Sequence, residues 1–298
     1  MKKGQLGFLT GTHAVNDLYQ GAIPAMLPFL MSERDYSYAA VSGLAFAASG
    51  VSSLFQPLFG LLSDRKPLPW LVPAGFTTGA LGVVAAGLSG SYLTTWLCVA
   101  LAGIGIAAYH PPATSQARAA GGSSQRAMSV FSVGGTVGSS IAPALVTLVM
   151  GTVGFSGSYL LAIPALVMLA LWVLKGPWMR WRGFVATDLL VPGTSVKAAD
   201  SAGRGDDWRS FVRLVTVIIG WSIAFVTVTS MVALLAQGDL GASTAAGAAV
   251  LTCYTAAGAA GTLLGGWIGD RYGRMLSVRV GYLVALPAGK VRACARAK

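Results

Sequence analysis

Charge is what this sequence most lacks. Of its 298 residues only 10% are Asp, Glu, Lys or Arg, against about a quarter in an ordinary soluble domain. Ala, Val, Leu and Gly take their place, so that 54% of the chain is hydrophobic and the mean hydropathy is +0.66. Cysteine is nearly absent as well. Cys98, Cys253 and Cys294 are scattered without disulfide or metal spacing, which leaves no disulfide framework and no structural zinc site to expect. There is no Walker loop, no Rossmann glycine pattern, no metal-ligand spacing and no nucleophile–base motif. The sequence therefore gives no ground for an enzyme, a cofactor or a bound metal. The two-residue alternation of a membrane β-barrel is also missing.

What is present is a series of apolar runs, each near the ~20 residues that cross a ~30 Å hydrocarbon core. Backbone groups in lipid must be satisfied within the segment, so these runs are helices and the chain is an all-α membrane protein. About eight full spans are expected: Leu6–Leu30, Ala39–Leu62, Trp70–Leu88, Leu93–Ala117, Ala127–Met150, Tyr159–Leu174, Phe211–Leu235 and Ala245–Ile268. Met275–Ala288 is apolar but too short to cross comfortably. Met1-Lys2-Lys3 before an apolar stretch looks like a secretory signal, but His13, Asn16, Asp17 and Gln20 spoil its apolar core, so it reads as a retained first span.

The net charge of +11 comes from cations that fall in alternate connecting segments, among them Lys2, Arg65, Arg126, Lys197 and Arg271. The segments between hold only Arg34. That is the positive-inside bias, which puts the N-terminus in the cytoplasm and accounts for the basic pI without any nucleic acid. The organisation expected is a six-span bundle over 1–175 and a cytoplasmic linker over 176–210. A partial second bundle over 211–288 and an atypical basic tail over 289–298 complete it.

Few residues can carry chemistry. Asp17 is the one carboxylate well inside an expected span, and Thr10, His13, Asp17 and Gln20 share one helical stripe. An ionisable group in lipid is costly and typically lines a cavity or proton path. The stripe is then either a proton and substrate surface in which Asn16 and Gln20 take part, or a buried Asp–His pair that only fixes packing. His110 precedes Pro111-Pro112, where the prolines are expected to break the helix and free carbonyls. It is either a switchable group or a neutral imidazole bonded to one of those carbonyls. Arg118 reads as a cytoplasmic anchor. Gly134, Gly135 and Gly138 form a small face that lets helices approach closely.

A short motif occurs twice. Gly60-Leu61-Leu62-Ser63-Asp64-Arg65 follows the second span, and Gly266-Trp267-Ile268-Gly269-Asp270-Arg271-Tyr272-Gly273-Arg274 follows the eighth. One copy could be a stop-transfer turn, but two at corresponding positions point to repeated bundles, a common transporter construction. The doubled Gly-x-x-x-Asp-Arg turn, the linker and the charge bias resemble the major facilitator superfamily. His13-Ala14-Val15-Asn16-Asp17, Gln56-Pro57-Leu58-Phe59-Gly60, Pro67-Leu68-Pro69-Trp70, Tyr109-His110-Pro111 and the stretch from Phe131 to Ser140 are similar to its fosmidomycin-resistance branch.

The resemblance implies a proton-coupled efflux carrier of a bacterial plasma membrane, working by alternating access on a small cargo such as a phosphonate or other organic anion. It also implies that Asp64, Arg65, Asp270, Arg271 and Arg274, with Gly60, Gly266 and Gly273, form cytoplasmic gates. Asp64 would face the eleventh span and Asp270 the fifth. Pro67 and Leu68 depart from the superfamily's loop pattern. By internal symmetry roughly four spans are missing from the second half, so the alternative expectation is a shortened, transport-incompetent fragment.

Overall fold

The computed structural model describes residues 2–65, 68–121, 125–175, 207–273 and 275–283. Most of the expected linker, the basic tail and Arg274 lie outside the described residues. Among the described residues every regular element is a helix.

The elements are α1 (Lys3–Arg34), α2 (Tyr38–Arg65), α3 (Leu71–Leu88), α4 (Tyr92–Gly121) and α5 (Gln125–Val153). A 3₁₀ stretch at Phe155–Ala162 then leads into α6 (Ile163–Lys175), and α7 (Trp208–Leu240) and α8 (Thr244–Tyr272) follow. A short helix, α9, occupies 275–283. Seven of these helical stretches are long and apolar enough to cross a membrane, counting the 3₁₀ stretch and α6 as one. The one expected span outside that set is the first, α1. It is 32 residues long, but its polar stripe dilutes its apolar run and keeps it out of that set.

The sixth expected span differs in kind at its start. The Phe155–Ala162 segment is a 3₁₀ helix, and the α-helix begins only at Ile163 with Pro164 in its first turn, where proline's missing N–H costs nothing. The helix break expected at Pro111-Pro112 is absent, since α4 runs through both prolines to Gly121. The two rings still remove the N–H donors that the carbonyls of Ala107 and Ala108 would otherwise meet. The two Asp-Arg motifs are likewise not in loops. Asp64 and Arg65 lie in the last turn of α2, and Asp270 and Arg271 in the last turn of α8.

After α8 the chain turns at Gly273, whose φ of 93° favours glycine. The short α9 then folds back on α8, with Ser277 Oγ donating to the Gly265 carbonyl at 2.8 Å.

The core sits around α1, which packs against α3, α4 and α5. Tyr19, Leu27, Phe76, Val83 and Tyr109 are wholly enclosed there. The Tyr19 hydroxyl joins α1 to the start of α6, donating to the Leu161 carbonyl at 2.9 Å and accepting from the Ala165 N–H at 3.0 Å. Many large apolar side chains face outward instead, Phe46, Leu54, Val173 and Ile223 among them. That is the distribution of a protein whose solvent is lipid.

The helix ends sort into two groups. At one end, Arg34 donates to the Ala86 carbonyl and to the hydroxyls of Ser89 and Thr95, each at 3.3 Å, and its guanidinium lies 4.2 Å from the Phe155 ring centroid. Gly238 of α7 meets the Tyr38 hydroxyl of α2 at this same end. At the other end, the Lys2 N–H donates to the Ala120 carbonyl at 2.9 Å, and Gly266 of α8 lies against Ser129 of α5. Arg34 and Asp239 are thus at the end opposite Lys2, Arg126 and Arg271.

Candidate functional site

α1 and α5 cross at a distance that only glycine permits. A Cβ on Gly134 would run into the Thr10 carbonyl and one on Gly138 into the Ala14 carbonyl. Both contacts lie on the backbone of α1, which cannot yield as a side chain could. This approach carries the Phe131 carbonyl of α5 to 2.8 Å from His13 Nδ1. A carbonyl oxygen only accepts, so Nδ1 holds the hydrogen of that bond.

The other ring nitrogen, Nε2, is 3.3 Å from Asp17 Oδ2. Two atoms with facing lone pairs attract only with a proton between them, so the geometry suits one shared proton. Asn16, wholly buried, donates to Asp17 Oδ1 at 3.0 Å. His110 of α4 brings its Nε2 to 3.7 Å from the same oxygen. His13 is stacked on Phe131 at 4.3 Å and on Tyr109 at 5.8 Å. The Tyr109 hydroxyl pairs with that of Thr12 at 2.9 Å.

His13, Asp17 and His110 present ligand atoms within 4.8 Å of one another. Both carboxylate oxygens of Asp17 are already engaged, one by Asn16 and one by His13, and we assign no metal there.

The cluster stands at the wall of a cavity of about 450 Å³ between α1, α2, α4 and α7. Asp17, Gln20 and His110 line it, while His13 and Asn16 sit behind the wall. The expected stripe on α1 therefore divides. Asp17 and Gln20 face the cavity, His13 faces α5, and Thr10 turns back to the Leu6 carbonyl at 2.8 Å. The motif residues Gly60, Asp64 and Arg65, at the end of α2, and Gly266, Arg271 and Gly273, at the end of α8, lie away from the cavity lining.

Two further surfaces of the cavity were not singled out from the sequence. Ser49, Ser52 and Ser53 come from α2, where they join Gln56 of the Gln56-Pro57-Leu58-Phe59-Gly60 stretch, and Trp221, Phe225, Thr229 and Ser230 come from α7. Both sets recur at helical spacing, so a search for polar stripes inside apolar spans could have found them.

Comparison with known proteins closes the question of family. The pattern that defines the Major Facilitator Superfamily matches residues 9–290. The chain belongs to the Major Facilitator Superfamily. Within this superfamily it is 30% identical over 279 residues to the fosmidomycin resistance protein of Escherichia coli K12, an alignment covering 91% of this chain and 66% of that protein. It is 33% identical over 167 residues to the Uncharacterized MFS-type transporter YfnC of Bacillus subtilis 168, covering 54% of this chain and 41% of the relative. The chain thus spans a little under two thirds of the first relative's length and about two fifths of the second's. It is a multi-pass membrane protein of the fosmidomycin-resistance-like branch of the superfamily, a family that moves small molecules.

Proposed function

We propose that this chain is the substrate- and proton-handling part of a proton-coupled efflux carrier in a bacterial plasma membrane, its N-terminus cytoplasmic and its cargo reached by alternating access. The observation that carries the reading is the His13–Asp17–His110 cluster, half-buried at the wall of a drug-sized cavity. In this reading His13 and Asp17 share a proton at the edge of the cavity. When that proton leaves, His13 keeps its bond to Phe131 while its bare Nε2 repels the carboxylate. Asp17 then swings toward His110 and the cavity. Binding and release of one proton thereby change the charge that the cavity presents, which is what coupling requires.

The two-bundle organisation and the cytoplasmic gates fit the same reading. The C-terminal end of α8, which carries Asp270 and Arg271, packs against the N-terminal end of α5 through Gly266 and Ser129. Free N–H groups at a helix N-terminus favour a nearby carboxylate, so we assign Asp270 to a gate on α5. Asp64 is exposed at the end of α2, and we assign it to the corresponding gate on the second bundle.

The test is proton exchange in inverted membrane vesicles acidified inside and reporting through a quenched pH dye. Phosphonates, amines and neutral drugs are added in turn. The expected result is dequenching by at least one of these classes with the wild-type chain and none with Asp17→Asn at equal membrane abundance. Dequenching that Asp17→Asn preserves overturns the proton role of the cluster.

A further inference from the structure

The family resemblance implies an anionic cargo such as a phosphonate, but the residues that line this cavity suit the opposite charge. Among the described residues its lining holds no Lys and no Arg, and Asp17 and His110 are its only ionisable groups. Anions are otherwise held by the free N–H groups at helix N-termini. The lining residues all come from the middle of α1, α2, α4 and α7, where backbone N–H groups are spent within the helix. An anion placed there would meet neutral hydroxyl and amide donors, no cationic side chain among the described lining residues, and the Asp17 carboxylate as a like charge.

A cation meets the reverse situation. Asp17 supplies a carboxylate, and Ser49, Ser52 and Gln56 supply oxygens from the facing helix. Thr229 spends its hydroxyl hydrogen on the Phe225 carbonyl at 2.8 Å, so its oxygen is left as an acceptor only. Trp221 and Phe225 also line the cavity, stacked with centroids 6.0 Å apart, and aromatic rings of this kind attract cations.

We propose that this cavity binds a monovalent organic cation with an apolar, ring-sized body, its charge set against Asp17 and its body against Trp221 and Phe225. The proposal rests on the carrier reading above and names the cargo of that site. The charges balance. With the shared proton in place the His13–Asp17 pair is neutral and offers a cation little. Once that proton departs through the cavity, the carboxylate carries a full negative charge and one cation restores neutrality. The exchange is one proton for one cation. Among the described residues the titratable groups around Asp17 are His13 on its own helix and Tyr109 and His110 on α4. α5 contributes only the Phe131 carbonyl and Gly135 there.

The experiment holds the body constant and changes the charge. Tritiated benzyltrimethylammonium is bound to the detergent-purified chain, with N,N-dimethylbenzamide and benzylphosphonate as neutral and anionic competitors. Binding is expected to be saturable, to weaken by about tenfold per pH unit as the pH falls toward 6, and to release one proton per cation. Neither competitor should displace the probe at matched concentration. Asp17→Asn should weaken binding at least about tenfold, and Trp221→Ala should weaken it where Trp221→Phe largely retains it. Displacement by benzylphosphonate, or equal cation binding by Asp17→Asn, overturns the cation site. Asp17-dependent cation binding that releases no proton keeps the site and removes the proton coupling, so the two readings fail separately.

Discussion

Gly135 is the residue on which the candidate site is most exposed to a single methyl group. A Cβ there would collide with Asp17 Oδ2 and would lie 2.7 Å from His13 Nε2 and 2.8 Å from His13 Cε1. α5 cannot back away to make room. The same small-residue face that admits the pair also seats Gly134 and Gly138 on the α1 backbone at Thr10 and Ala14. In Gly135→Ala the carboxylate and imidazole must therefore turn aside, and the 3.3 Å approach between them is lost.

Two contributions to stability oppose each other in this variant. Overpacking a filled interior costs about 1–3 kcal/mol, while replacing a mid-helix glycine by alanine returns about 0.8–1.0 kcal/mol. The net change in stability is at most about 2 kcal/mol. The site has no such compensation. A hydrogen bond to a charged group is worth about 1.5–3 kcal/mol, which amounts to roughly ten- to hundredfold in an equilibrium. Gly135→Ala should thus cut proton exchange in inverted vesicles by about that factor while the thermal midpoint in detergent moves modestly. Gly151→Ala is the control, since a Cβ there meets nothing within 4 Å on the same helix, and it should leave both readouts near wild type. Wild-type proton exchange in Gly135→Ala would show that the His13–Asp17 contact is packing and nothing more.

Two further outcomes are expected. Tyr19→Phe strands the Leu161 carbonyl and the Ala165 N–H, both partnered by that hydroxyl, and should cost about 1–3 kcal/mol; a thermal midpoint in detergent equal to wild type would contradict it. Single cysteines at Arg34 and Asp239, in a background without native cysteines, should react with a membrane-impermeant thiol reagent on intact cells. Those at Arg65 and Arg271 should react only after permeabilisation, and the reverse pattern would invert the topology.

How much of this was legible in the sequence depends on which forces decide each feature. Helix positions were legible because each span must satisfy its own backbone, a demand local in sequence. The ends moved by a few residues: α1 runs from Lys3 to Arg34 where Leu6–Leu30 was expected. Helix character at the prolines was less legible. α4 packs against α3, α2 and α1, and it continues as a helix past two lost hydrogen bonds at Pro111 and Pro112. The 3₁₀ entry to α6 depends on Tyr19, a partner more than a hundred residues away, so no local pattern announces it.

The site shows the same division more sharply. That Asp17 matters followed from the cost of a carboxylate in lipid, a property of one residue. That His13 turns away from the cavity did not follow, because helical spacing puts His13, Asp17 and Gln20 on one stripe, yet a stripe spans an arc wide enough to meet two different neighbours. Which neighbour each residue meets is set by how closely α5 can approach, and that is decided on α5, by Gly134, Gly135 and Gly138. Those glycines read in sequence as generic packing residues. Their role at the proton pair appears only once the Phe131 carbonyl is seen on His13 Nδ1. The ionisable residues alone cannot define the site: the proton role proposed for the Asp–His pair requires a second backbone near enough to fix which nitrogen holds the hydrogen.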